Sequence, residues 1–306
     1  MGVQQSKKMT PKNHHHKQKS FASESELKHL HLITSELNNV KDLDIKYNSE
    51  TIDRIVSQQY LLKHIWKGNF SSPIRDLLES GSVNALEIKC GPGTWILDMA
   101  TEFSRCSFTG IDLIPIFPSE IRPKNTKFFL ANKPEYLPFP PSTFSYIHIN
   151  FIEHMHNEHS FCQNDIINDI INIMKCDSWL EITTWNLEFE NERVGHITQK
   201  LISAMKTCFE NYTSLSETIS SLPSNCDQLK NTNILTNNIP VGKWGGIIGE
   251  LVMQDLLITF KQHGNKICKK LEITPKQYDS YLEEFVKEIE ENQTVFKTCR
   301  FYGQKI

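Results

Sequence analysis

Two carboxylates, Glu87 and Asp112, bracket a pair of glycines, Gly91 and Gly93. The stretch Glu87-Ile88-Lys89-Cys90-Gly91-Pro92-Gly93-Thr94-Trp95 reads as a buried strand that runs into a glycine turn and then a helix. Such a junction suits a polar or anionic group, because glycines let the backbone approach a ligand and the helix start offers free N–H groups. Asp112 closes a second strand about twenty residues further on, where a carboxylate can accept both ribose hydroxyls of an adenosine moiety. Gly93 is followed by Thr94, Trp95 and Ile96, with no third glycine of the dinucleotide fingerprint, which disfavours NAD.

A second group of chemically able residues follows a later strand: Asn150, Glu153, His154, His156 and His159. A histidine there can take a proton from a hydroxyl or amine, and Tyr60 is a further candidate from the preceding helices. His154 and His156, with Tyr60, are the catalytic candidates. The histidine run does not have the spacing of a zinc helix or finger, so no metal site is expected. Trp95 and Trp244 read as packing residues, since large aromatics usually contribute buried area.

The elements that must position these groups follow from periodicity. Residues 25–81 are spaced as helices, with Leu27, Leu30, Ile33 and Leu37 in one segment and Ile52, Ile55, Leu61 and Ile65 in another. A short helix opens at Ser72-Pro73 and stops at Gly81. Strand-like runs cover 84–89, 107–112, 127–131, 144–150, 179–185 and 298–303, and helical patterns 94–103, 164–174, 195–208, 249–263 and 275–292 lie among them. Strands alternating with helices of this length predict an α/β fold, a Rossmann-like, doubly wound, mostly parallel sheet with helices on both faces and ligands at the carboxyl ends of the strands. The helices of 25–81 would cap those ends. Residues 214–238, rich in Ser, Asn and Thr, read as a mobile insertion bordering the acceptor pocket.

The chain has 306 residues and a net charge of -3, yet residues 1–20 hold five lysines and no acidic residue. The remainder is therefore acidic and gives no argument for nucleic-acid binding. Residues 1–24 read as a disordered basic tail. They begin MGVQQS, the pattern for N-myristoylation of Gly2, and Lys7 and Lys8 follow, so the expectation is acylation with weak association to anionic membranes. Eight cysteines without a CxxC pair, and no apolar leader, point to reduced thiols and a cytoplasmic location, peripheral at membranes through the N-terminus. The most apolar neighbourhood, 251–260, is interrupted by Gln254 and Asp255 and falls short of a bilayer span.

Three stretches in order, EIKCGPGTWILDMATEF, FTGIDLIPIFP and ANKPEYLPFPPSTFSYIHI, resemble successive motifs of the class I S-adenosylmethionine-dependent methyltransferases, particularly a type abundant in fungi. The segment PVGKWGG and the closing RFYGQK are similar to that type as well, so the resemblance runs from about Tyr60 to the end. It implies a seven-stranded methyltransferase domain over 82–306, S-adenosylmethionine as cofactor, and methyl transfer to an unidentified small-molecule or protein acceptor. It also implies roles: Glu87 for the methionine amino group, the backbone of Gly91 and Gly93 beneath the cofactor, Asp112 for the ribose, and Asn132 with the backbone of Lys133 for the adenine edge.

The chain departs from the family pattern at Lys89, where the first glycine of the loop stands. If the strand continues through Glu87 and Lys89, the two side chains share a face. The ammonium then either neutralises Glu87 and crowds the methionine end or swings out to pair the methionine carboxylate. Ser145 in place of an aspartate and Lys175-Cys176-Asp177-Ser178 in place of a Pro-Gly-Gly turn are further departures. The alternative they raise is a degenerate member that serves as a binding or interaction module.

Overall fold

The computed structural model describes residues 49–131, 137–151, 164–189, 194–207, 222 and 226–306. Gly2, Asn132, Lys133, Glu153, His154, His156 and His159 lie outside them, as do the residues of the N-terminal tail. Helix α1 (Ser49–Ile65) has Glu50 in its first turn and Lys63 and His64 in its last, each charge opposed to the helix dipole at its own end. Helix α2 (Arg75–Ser80) ends at Gly81. The alternation then begins: β1 (Asn84–Ile88), α3 (Thr94–Glu102), β2 (Ser107–Asp112), β3 (Thr126–Leu130), β4 (Phe144–Phe151), α4 (Asn164–Ile173), β5 (Met174–Phe189), α5 (His196–Thr207) and β6 (Leu229–Pro240). Helices α6 (Gly246–Leu271) and α7 (Pro275–Asn292) precede the last strand, β7 (Val295–Lys305). A capping box formed by Thr274 and Gln277, with Pro275 in the first turn, fixes the start of α7.

The seven strands form one sheet in the order β3-β2-β1-β4-β5-β7-β6. All pairings are parallel except those of β7, which runs antiparallel to both neighbours. The order reverses between β1 and β4, so a crevice opens at the carboxyl ends of these two strands. This is the doubly wound, mostly parallel sheet that the alternation predicts.

Two details differ from the expectation. Residues 229–238, read as part of a polar insertion, are strand β6, and β6 pairs with β7 from Leu229 to Pro240. Its alternation of half-buried and exposed positions belongs to an edge strand with little apolar content, so hydrophobic periodicity does not reveal it. Residues 175–178 fall within β5 rather than before it. Pairing with β4 jumps there from Phe144–Met174 to Tyr146–Trp179, and Asp177 takes a φ of 59°, so the segment is a turn-like bulge inside the strand.

Each strand sends alternate side chains to opposite faces. Leu86, Ile88, Ile147, Ile149, Leu180 and Ile182 pack with Ile170 and Ile171 of α4 on one face. Ala85, Tyr146 and Trp179 pack with Ile74, Trp95 and Met99 on the other, beneath α2 and α3. A third cluster joins Leu201, Val252, Phe260 and Phe285 of α5, α6 and α7.

The face under α2 and α3 also buries charge. Arg300 of β7 lies 3.7 Å from Glu181 of β5, and their side chains are 2% and 0% exposed. Glu181 accepts backbone N–H groups from Ser71 at 2.9 Å and Ser72 at 2.8 Å. Arg300 donates to Thr183 Oγ1, to Ser71 Oγ and to the Gly68 carbonyl, and its guanidinium lies 4.9 Å over the Trp66 ring. The loop between α1 and α2 is thereby clamped to the sheet, with each end of the ion pair hydrogen-bonded as a buried pair requires.

Replacing Arg300 with alanine leaves Glu181 buried and unpaired, and should cost about 3–5 kcal/mol of unfolding free energy in urea titrations. The apolar double variant Glu181→Leu/Arg300→Met should not recover it, because the N–H groups of Ser71 and Ser72 lose their acceptor. Full recovery of stability in that variant would show that the ion pair, and not its backbone contacts, is what matters.

Candidate active site

The turn after β1 closes through its own backbone and through Asp112. The N–H groups of Lys89 and Cys90 donate to the Ile111 carbonyl, the Gly91 N–H donates to Asp112 Oδ2 at 2.7 Å, and the Ile114 N–H donates to Asp112 Oδ1 at 3.0 Å. Asp112 therefore holds the glycine turn and the end of β2 together, while each oxygen keeps a lone pair for a further donor. Burial raises the Asp112 carboxyl above its ordinary value, opposed by the Gly91 and Ile114 N–H groups and by the Lys89 ammonium.

Gly93 precedes α3 with a φ of 75°, and a Cβ there would come within 2.7 Å of the Phe128 ring. Both the left-handed conformation and the close approach require glycine. Gly91 has a φ of 51°, and the nearest atom to a Cβ there would be Ile55 of α1, at 3.6 Å. Ile55 also packs with Ile114 and, at its margin, Leu113 and Ile116, so α1 covers the turn and the end of β2. Of the stretch read as a cap, residues 25–48 lie outside the described residues. The cover by α1 is reinforced where Gln58 of α1 donates to Asp255 of α6 at 2.8 Å and where Asn150 at the end of β4 donates to Gln59 at 2.6 Å.

Lys89 does not stand where the strand reading put it. Strand β1 ends at Ile88, and Lys89 takes a φ of 61°, the left-handed conformation that glycine adopts without strain. The alternation of faces stops there, so Glu87 and Lys89 do not share one. The ammonium acts on Asp112, whose carboxyl it lowers. The lysine thus occupies a backbone conformation that glycine would adopt without strain.

Glu87 lies on the opposite face to Leu86, beneath α3, and is 2% exposed. Its Oε2 has no hydrogen-bond partner among the described residues. Burial, then the Asp112 charge, push its carboxyl well above the ordinary range, and the Ile96 N–H in the first turn of α3 opposes them. Beside it in the β1–β4 register stands His148, with Nδ1 3.4 Å from Glu87 Oε1. The imidazole is 1% exposed and stacks on the Trp95 ring at 4.4 Å and 14°. Trp95 is fixed in turn by its indole N–H, which donates to the Asn69 carbonyl at 2.9 Å.

The structure thus brings Glu87, Lys89, Gly91, Gly93 and Asp112 to one turn, with Asn150 across the crevice. Tyr60 is 53% exposed on α1, and it is its neighbour Gln59 that meets β4. Trp95 is a packing residue, as its size suggests, whereas Trp244 is 37% exposed in the turn that precedes α6. His148 and Gln59 escaped the sequence reading. The alternation in Phe144-Ser145-Tyr146-Ile147-His148 puts His148 on the face of Tyr146, but only the β1–β4 register sets it beside Glu87.

Over 96 residues the chain is 31% identical to Methyltransferase str3 of Strobilurus tenacellus, a match that covers 31% of this chain and 32% of that protein. The chain thus matches about a third of the length of that relative. Among solved structures, phosphoethanolamine N-methyltransferase 2 of Haemonchus contortus, in complex with phosphomonomethylethanolamine and S-adenosylhomocysteine, superposes with a TM-score of 0.47 at 13% identity, over 89% of this chain and 60% of that one. YcgJ of Bacillus subtilis superposes with a TM-score of 0.46 at 15% identity, over 76% and 97%. No protein-family profile matches the chain.

Two variants test the turn. Lys89→Gly should raise unfolding free energy by up to about 1 kcal/mol, since it relieves a left-handed lysine, less what the freer unfolded glycine returns. Lys89→Ala keeps the strain and should give no such gain in the same urea titration. A separate outcome concerns pH. The folded protein holds the Glu87 proton more tightly than the unfolded chain does, so stability falls as pH rises above the ordinary carboxylate range. Glu87→Gln should therefore be more stable than wild type at pH ~8, by a margin that shrinks toward pH ~4. A constant margin across denaturation curves at both pH values would show that folding does not shift the proton affinity of Glu87.

Proposed function

We propose that this chain is an S-adenosylmethionine-dependent methyltransferase of class I type. The observation that carries the reading is the turn after β1: a glycine-bearing junction at the sheet's switch point, closed by a carboxylate at the end of the next strand and backed by a buried carboxylate with one oxygen unpartnered among the described residues. Similarity to a methyltransferase over a third of the chain supports it.

The residues fit such a cofactor. A buried carboxylate oxygen without a partner is what an ammonium group needs. A turn that tolerates no Cβ at Gly93 holds the backbone close to the start of α3. In this reading Glu87 holds the amino group, Asp112 accepts the ribose hydroxyls while it keeps the turn closed, and Asn132 with the Lys133 backbone reads the adenine edge. Lys89 offsets the Asp112 charge. When bound, the cofactor supplies an electrophilic methyl group for in-line displacement. The chain's own part is alignment and exclusion of water: α1 covers the crevice, and the Gln59–Asn150 contact closes it at the end of β4. The acceptor is a small molecule or a protein group, with His154 or His156 as its proton acceptor.

Asp112→Ala should weaken S-adenosylmethionine binding by one to two orders of magnitude, about 1.5–3 kcal/mol for lost charge-assisted hydrogen bonds. Isothermal calorimetry with the pure protein checks it, and equal affinity in the two proteins would overturn the assigned ribose contact.

A further inference from the structure

The outer side of α6 carries an apolar stripe that the candidate site does not use. Trp244, in the turn before the helix, and Ile247 and Leu251 in its first two turns are exposed, Ile247 to 77%. Half-buried Ile258 lies seven residues beyond Leu251, a spacing that keeps Ile247, Leu251 and Ile258 on one side of the helix. The space beside the helix start is open: a Cβ at Gly246 would meet no atom of the described residues within 4 Å. The stripe borders α1. Asp255, one turn beyond Leu251, pairs with Arg54 and accepts from Gln58, and Gln262, one turn beyond Ile258, donates to Thr51 at 2.9 Å. Thr51 meets the later part of α6 and Gln58 the earlier part, so the two helices run antiparallel and α1 starts beside Gln262.

We propose that residues 27–40 of this chain are the occupant of that stripe: they form a helix that folds back on α1 as an antiparallel hairpin and seats its apolar side on Trp244, Ile247, Leu251 and Ile258. The proposal does not depend on the cofactor reading. Leu27, Leu30, Ile33, Leu37 and Val40 recur at intervals of three and four, which places them on one side of a helix. Lys28, Ser35 and Asn39 fall on the opposite side, with Leu32 as the apolar residue among them. Residues 41–48 then join this segment to α1, a length that suits a helix–helix connection of about 2–8 residues. The lengths agree as well. A helix over 27–40 is about 20 Å long, and the run along α6 from Ile247 to Gln262, where α1 starts, is about 22 Å. A helix antiparallel to α1 runs parallel to α6, so Val40 and Leu37 come to Ile258, and Leu30 and Leu27 to Ile247 and Trp244.

Two other occupants fit the stripe less well. A stable dimer needs about 800 Å² from each partner, far more than three partly exposed side chains offer. A lipid surface favours a broad apolar face bordered by lysines and arginines, whereas Glu250 and Gln254 are exposed along the outer edge of this narrow stripe. A polar border of that kind suits a packed helix, whose own polar side meets water beside it.

Amide hydrogen exchange of the full chain, read by mass spectrometry, tests the proposal. Residues 27–40 should exchange about a hundredfold or more slowly than an unstructured peptide. An isolated helix shorter than about 12–15 residues is marginal in water, so protection of that size reports packing. In Ile247→Asp/Leu251→Asp the protection of 27–40 should be lost while that of α3 and α7 is unchanged, which shows that the fold is kept. Leu30→Asp/Ile33→Asp, which leaves the stripe itself intact, should shift the emission of Trp244 to the red, isolated as the difference from Trp244→Phe. Fast exchange of 27–40 in the wild-type chain overturns the proposal whether or not a substituted chain folds. Protection that survives Ile247→Asp/Leu251→Asp overturns it too, since the segment then packs elsewhere. Self-association in sedimentation velocity, or binding of the unacylated chain to phosphatidylserine vesicles, that this double variant abolishes would give the stripe to a second copy or to lipid and also overturn it.

Discussion

The contact on which the active-site geometry depends is the buried ion pair of Glu181 and Arg300. It sits on the sheet face that also carries Glu87 and His148, and it holds backbone groups of the loop between α1 and α2, whose Ile74 is buried in the core. That loop supplies Asn69, whose carbonyl fixes the Trp95 indole, and Trp95 fixes the His148 ring. Asn69 also donates to Asp98 of α3 at 2.6 Å, and Lys63 of α1 pairs with the same carboxylate. These directional polar contacts act together with the apolar packing of Ile55 and Ile74 to position α1 and the loop. Such contacts specify one arrangement more sharply than apolar packing would, and they place the cap and the site on one rigid support.

The same sheet face shows how burial is put to two uses. Glu181 is buried and well satisfied: it accepts backbone N–H groups and faces a guanidinium. Glu87, two strands away, is buried, with one oxygen unpartnered among the described residues. The first arrangement stabilises the fold. The second costs stability, and a site can keep such a residue because a cationic ligand recovers the lost interaction on binding.

Lys89 illustrates how a departure from a motif is judged. The loop needs a residue with positive φ at this position, and glycine is the least strained answer. A lysine accepts the same backbone conformation at a cost of about 1–2 kcal/mol and brings a charge with it. Because β1 ends at Ile88, the lysine falls in the turn with a positive φ, and its charge lowers the Asp112 carboxyl.

Much of the architecture was legible in the residue order. The apolar runs of β1, β2 and β4, the helical spacing of α3 and the punctuation at Gly81, Gly91 and Gly93 identify a doubly wound sheet and its crevice, because in a fold of this kind local periodicity and turn chemistry agree with the global arrangement. Glu87, Asp112 and the two glycines could be named as one site for the same reason: the strand–turn–helix junction is local. What remained hidden required knowledge of which strands lie side by side. Strand β6 has no apolar alternation of its own and exists by pairing with β7. The neighbourhood of Glu87 and His148 depends on the β1–β4 register across an intervening sixty or so residues, and the Glu181–Arg300 clasp on an antiparallel pairing made by the last strand of the chain. The place of Lys89 outside the strand followed from where β1 ends, which residue type alone does not fix. Sequence determined which elements form and which residues sit at the turn; the sheet's register and its pinned cap decided which side chains meet there, because contacts between distant segments are fixed by tertiary pairing and not by local propensity.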